Sequence, residues 1–128
     1  MSYYFSKIIE GSFAEAIEKV VSALKSEGFG VLTEIDVKET LKKKMNVDFQ
    51  NYRILGACNP PFAYKALKTE NKIGTMLPCN VIVQEISENK VEVAAVDPVA
   101  SMKTVENKEL LKIAEQVQGK LKRVVMNL

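Results

Sequence analysis

The chain contains no histidine, and no other absence removes as much chemistry. Histidine is the commonest general base near neutral pH and the commonest ligand for transition metals. Without it there is no Ser-His or Cys-His nucleophile pair and no three-histidine zinc site. The six glycines form neither a GxxxxGK[ST] phosphate loop nor a GxGxxG dinucleotide fingerprint. No apolar run approaches the ~18 residues of a membrane span. Met1-Ser2-Tyr3-Tyr4-Phe5 lacks the basic opening of a secretory leader, so a cytoplasmic protein with no membrane partner is the expectation. An excess of either charge is missing too. Lysine and arginine number 18 against 16 acidic residues, interleaved, for a net charge of +2. That falls short of a clustered basic footprint, and nucleic acid is not an expected partner.

What remains is ordinary for a soluble domain. Hydrophobic residues make up 47% and charged residues 27% of 128 positions, enough for one core and one domain spanning 1–128. There is no internal repeat, low-complexity tract or linker. With only two cysteines in a reducing compartment, free thiols or a redox or metal pair are expected before a structural disulfide.

Taken in order, residues 3–10 read as a first strand. Gly11 breaks it, and Ser12 with Glu15 forms a capping box for a helix over 12–27 whose apolar stripe includes Ala16, Val20 and Leu24. Gly28 ends that helix where positive φ is needed. Residues 30–35 form a second strand. Asp36 and Glu39 open a short helix that Asn46 terminates, and its Lys42-Lys43-Lys44 run reads as a solvated face near a helix C-terminus. Residues 52–58 are a third strand. Asn59 followed by Pro60 is a helix start, asparagine as the cap and proline in the first helical position.

After that helix, residues 73–78 read as an irregular apolar loop. Residues 79–86 and 90–96 make an antiparallel hairpin across Ser87-Glu88-Asn89. Asp97-Pro98 stops the second strand, and a loop leads to Asn107, the cap of a last helix carrying Leu110, Ala114, Val117 and Leu121. The order β-α-β-α-β-α-β-β-α predicts an α+β fold, a largely antiparallel sheet with helices packed on one face.

The candidate site gathers where both cysteines lie. Cys58 would sit just outside the positive end of the helix that Asn59 opens, where a thiolate is favoured. Pro60 and Pro61 remove two of the amide donors an anion cradle would use. Cys79 opens its strand after Pro78, and the intervening chain permits, without requiring, that the thiols meet. Asn59, Asn80 and Asp97 read either as capping and turn residues or, in the functional alternative, as groups that point into one pocket and fix a small polar ligand. Lys65, one turn into the helix, could balance an anion. A second reading makes Cys58 a reactive thiol with Cys79 as resolver, or, with Met76 or Met102, a soft-metal or haem site. The cysteine spacing is not of the CxxC type, so no metal site is assigned, and the residues name no cofactor.

Three stretches carry a resemblance: Gly56-Ala57-Cys58-Asn59-Pro60-Pro61-Phe62-Ala63, then Ile73-Gly74-Thr75-Met76-Leu77-Pro78-Cys79-Asn80, then Val96-Asp97-Pro98. In this order they resemble the bacterial and archaeal family catalogued as domain of unknown function 302. The resemblance implies an α+β domain with a curved antiparallel sheet flanked by helices, commonly a homodimer. It implies no reaction, and fold analogy supplies none. The resulting expectation is a non-enzymatic small-ligand or interaction module, with thiol chemistry as the alternative.

Overall fold

The computed structural model describes residues 2–128. Its first strand, β1 (Tyr4–Glu10), leads through Gly11, at φ +128°, into helix α1 (Phe13–Ser26). The first half of the predicted capping box forms, the Ser12 hydroxyl oxygen accepting from the Glu15 amide at 3.2 Å, while the Glu15 carboxylate reaches back to accept from the Ser12 hydroxyl at 3.0 Å. Helix α1 ends in a Schellman motif. The Phe29 amide donates to the Leu24 carbonyl and the Gly28 amide to that of Lys25, with Gly28 at φ +87°. Strand β2 (Gly30–Asp36) follows. Asp36 then caps helix α2 (Val37–Met45) through the Glu39 amide, and Asn46 ends it in the left-handed region at φ 54°.

Strand β3 (Tyr52–Cys58) runs into helix α3 (Pro60–Thr69). Strands β4 (Cys79–Ser87) and β5 (Lys90–Val96) form the hairpin, and the last long helix covers Lys108–Met126. Two elements were not expected. Asn71–Met76 form a 3-10 helix, where residues 73–78 read as an irregular loop. The segment after Asp97, also read as loop, is a five-residue helix, α4 (Pro98–Met102), so the long helix is α5. The Asp97-Pro98 pair that stops β5 is itself a helix start. The Asp97 carboxylate accepts from the Val99 and Ala100 amides at 3.0 and 3.4 Å, and Pro98 takes the first position.

All strand pairs are antiparallel, in the order β1-β5-β4-β3-β2. The two strands that flank α1 therefore lie at opposite edges, and α1 carries the chain across the sheet between them. From β2 the chain returns strand by strand to β1. Alternation then decides what is buried. Leu55, Val81, Val83, Val91, Val93 and Ala95 point to one face and are fully buried. Against them pack Ala16, Val20 and Leu24 from α1, with Leu121, Val124 and Val125 from α5. A smaller cluster, Ala66, Ile73, Met102, Leu110 and Ala114, joins α3, the 3-10 helix, α4 and the first half of α5. The helices thus lie on one face, as the strand pattern predicts.

Gly56 is where β3 and its neighbours come closest. A Cβ there would overlap the Thr33 hydroxyl and lie 2.7 Å from Cγ of Pro78. Both are side-chain atoms, and the proline ring yields less easily than the Thr33 hydroxyl. Gly56→Ala is expected to destabilise the fold by roughly 1–3 kcal/mol in urea denaturation. Adding Thr33→Ala should recover part of the loss and leave the part due to Pro78.

Candidate functional site

The seam between the two apolar clusters is not filled. A cavity of about 270 Å³ lies there, at the end of the sheet where β3 finishes and β4 begins. Ala57, Cys58, Pro78 and Cys79 form its floor, Phe62, Ala63 and Ala66 of α3 one wall, and Leu110, Ala114 and Val117 of α5 another. Pro98 and Met102 of α4 and Leu77 complete it. Leu32, 67% exposed at the bulge of β2, and Leu67, also exposed, mark its mouth. Apart from the two cysteines, the only polar side chain on the lining is Asn59.

Asn59 does occupy the residue position before α3, in extended backbone geometry, but its side chain does not cap that helix. Instead its Nδ2 donates to the carbonyl of Glu27 at 3.2 Å. The Schellman ending of α1 uses the Leu24 and Lys25 carbonyls, and Asn59 takes the Glu27 carbonyl that follows. Gly28 makes room for this: a Cβ there would come within 3.1 Å of Nδ2. The Asn59 backbone carbonyl starts α3 by accepting from Ala63 at 2.9 Å. One buried residue, 8% exposed, therefore ties the end of α1 to the start of α3.

The register pairs Ala57 with Cys79, which puts Cys58 and Cys79 one position apart on adjacent strands, both on the cavity lining. Both thiols are free. Cys79 is buried, and that burial, reinforced by the neighbouring Cys58, pushes its thiol up to about 11. At neutral pH Cys79 is a protonated, weakly polar lining group.

The remaining predicted residues do not join the cavity. Asn80 follows Cys79 along β4 and so projects from the opposite, open face, where it is exposed. There it borders a second hollow of about 380 Å³ with Tyr3, Tyr4, Tyr52 and Ile82. Asp97 is committed to capping α4, and Gln118 Nε2 donates to its two carboxylate oxygens at 3.0 and 3.2 Å. Pro60 and Lys65 are exposed; the Lys65 ammonium lies 5.7 Å from the centre of the Phe62 ring rather than inside the cavity. The expectation of two amides and Asp97 converging on one pocket is thus corrected. Strand parity separates Asn80 from Cys79, and helix capping occupies Asp97. Of the methionines considered with the thiols, Met102 lines the cavity and Met76 does not. Among the described residues no three His, Cys, Asp or Glu side chains are grouped to hold a metal ion.

Sequence reasoning missed most of the walls. Leu110, Ala114 and Val117 were legible as a helical stripe, but that stripe continues past the filled core to line an opening. Phe29 and Leu77 carry no local signal for the cavity, whereas Met102 was considered with the thiols.

The chain matches the model of the family described as domain of unknown function DUF302 over residues 5–128. It is similar to a solved structure, the crystal structure of an uncharacterized conserved DUF302 protein from Bacillus stearothermophilus. The two are 27% identical over 98% of each chain, with a TM-score of 0.90. No curated protein matches the chain.

The raised Cys79 thiol makes a pH prediction. At low pH the group is protonated whether folded or unfolded and contributes nothing to the balance. Between about 9 and about 11 the unfolded chain ionises it and the folded chain does not, so stability falls as pH rises through that window. Denaturant titrations from pH 8 to 11 should show a steeper decline in the parent than in Cys79→Ala. Equal slopes would mean that the thiol is not held in its neutral form.

Proposed function

The chain belongs to the DUF302 family, and from that premise and the lining of its cavity we propose that it is a non-enzymatic module binding a small, mainly apolar molecule. The single observation that carries this reading is the unfilled seam: about 270 Å³ of apolar space walled by α3, α4, α5 and the β3–β4 end of the sheet. Cores otherwise close such spaces, because unfilled volume forfeits dispersion contacts and burial. A dry cavity of roughly 150 Å³ already suffices for one benzene ring. The cavity supplies a binding volume whose polar side chains are Asn59 and the two thiols, while Asp97 and Lys65 lie outside it.

Titration calorimetry with toluene and naphthalene tests the reading. Saturable one-to-one binding of at least one of them is expected, with Ala114→Phe, which fills the space from α5, lowering affinity at least tenfold, about 1.4 kcal/mol. No binding of either, or a folded Ala114→Phe that binds as the parent does, would sink it.

The thiol reading keeps one supporting observation, that Cys58 and Cys79 line the same cavity. Against it, a resolving Cys79 would have to act as a thiolate, and burial holds it protonated at neutral pH. Two free thiols suit a reducing, cytoplasmic setting. No helix among the described residues is long and apolar enough to cross a membrane.

A homodimer belongs to the same proposal. The face of the sheet that the helices leave uncovered carries Ile35, Ile54, Ile82 and Ala94 in one cross-strand row, with Tyr4 and Ile8 at its edge. Ile8, Ile35 and Tyr4 are exposed. Beside the row, Gln50, Gln84 and Glu92 are linked side chain to side chain, a polar border. An apolar centre with a polar rim is self-complementary about a two-fold axis. Light scattering at micromolar concentration should give twice the chain mass, and Ile82→Lys should give a folded monomer. A monomeric parent would remove the dimer and leave the cavity reading untouched.

A further inference from the structure

The cavity's one polar side chain also restricts what can occupy it. Resting on the proposal that the cavity is a ligand site, we infer that its ligand is an uncharged apolar molecule carrying one hydrogen-bond donor, a hydroxyl or ring N–H, which the Asn59 side-chain oxygen accepts.

The argument starts from the orientation of the amide. Nδ2 is the atom that faces Glu27, because a backbone carbonyl can only accept, and it donates there at 3.2 Å. Gly28 confirms which side that is: its missing Cβ would approach Nδ2. Oδ1 therefore points away from the end of α1. Among the described residues it has no hydrogen-bond partner, although Asn59 is more than nine-tenths buried. No fully buried side-chain oxygen or nitrogen lacks a partner among the described residues, so Oδ1 borders open space. The cavity is the space that Asn59 lines.

An acceptor in an apolar chamber selects by chemistry. A buried polar group left unpaired costs more than a made hydrogen bond returns, so a ligand presenting its own acceptor there is disfavoured. A carboxylate would add charge desolvation and repulsion between oxygens. The cations over the Phe62 ring do not change this. Lys65 and Lys120 sit over the Phe62 ring at 5.7 and 5.9 Å from its centre, and neither lines the cavity. Water is a poor occupant of the position, since an ordered buried water usually has two to four polar partners. Among the lining side chains it would find one amide oxygen and two thiols, which are weak partners. A donor fixed to an apolar body satisfies Oδ1 and fills the chamber in one step.

Indole and benzofuran have nearly the same shape and differ in presenting N–H or an ether oxygen, and benzoate adds a negative charge. Each would be titrated calorimetrically into the full chain. Indole is expected to bind about tenfold more tightly than benzofuran, and benzoate more weakly than either. In Asn59→Leu the preference for indole should vanish. If that variant does not fold, the side-chain amide signal of Asn59 in the parent decides: it should shift with indole far more than with benzofuran. Equal affinity for indole and benzofuran, an unmoved Asn59 amide, or a preference kept in folded Asn59→Leu would overturn the inference while leaving the cavity as the binding site. Tighter binding of benzoate would overturn it in favour of the lysines. If none of the three binds, and toluene and naphthalene do not either, the cavity reading fails first and takes this inference with it.

Discussion

The constraint on which this structure depends is that only one face of its sheet can be covered. Five antiparallel strands put Leu55, Val81, Val83, Val91, Val93 and Ala95 on the same side, and each is withdrawn from water. Burying such side chains stabilises by about 1.5–3 kcal/mol apiece, an upper range because the unfolded chain already hides part of its surface. Two long helices suffice to cover that face, and α1 must cross it to link strands at opposite edges. Once α1 and α5 lie side by side, the rest of the chain has to pack beyond them. Helices α3 and α4 and the 3-10 helix do so against the first half of α5, forming a cluster of their own. The cavity is a consequence of this division: α5 serves both clusters, and the space between them is left to residues too small to close it, among them Ala57, Ala63, Ala66 and Ala114.

Local chemistry made much of the fold legible in sequence. Ser12, Asp36 and Asn107 were readable as caps because a cap is a relation between residues two or three apart, and each side chain accepts an amide of the helix it opens. Gly28 and Asn46 were readable as terminators for the same reason. The errors arose where one local signal has two outcomes. Asp-Pro ends a strand and begins a helix with equal ease, and only the second sense revealed α4. Asn-Pro starts α3, yet the asparagine side chain found a partner 32 positions away in sequence, on the last residue before Gly28.

The candidate site was legible only in part, and the period of a strand explains the largest miss. Cys79 and Asn80 are neighbours in sequence, and for that reason they belong to opposite faces. Grouping them on one pocket contradicted an alternation already visible in Val81, Val83 and the residues between them. Cys58 and Asn59 escape the objection, because β3 ends at Cys58 and the chain turns there into α3. Of the walls contributed by α4, α5 and Leu77, the sequence suggested only Met102 as a neighbour of the thiols, and the α5 stripe gave no sign that it lines an opening. Nothing in an apolar stripe distinguishes a residue that meets another side chain from one that meets a void.

Asn59 links the architecture to the proposed chemistry. A buried amide has three or four hydrogen-bonding positions, and a structure that supplies partners for only some of them leaves a directional preference behind. Here the donor side is fixed by the carbonyl of Glu27, whose position is set by the Schellman ending of α1 and by the space at Gly28. The acceptor side cannot then rotate toward solvent without breaking that bond. Its direction is a property of how α1 ends rather than of α3, where the residue sits. On the proposal made above, the same bond that joins two helices turns the Asn59 acceptor toward the apolar cavity, and selectivity for a donor would follow from a requirement of folding.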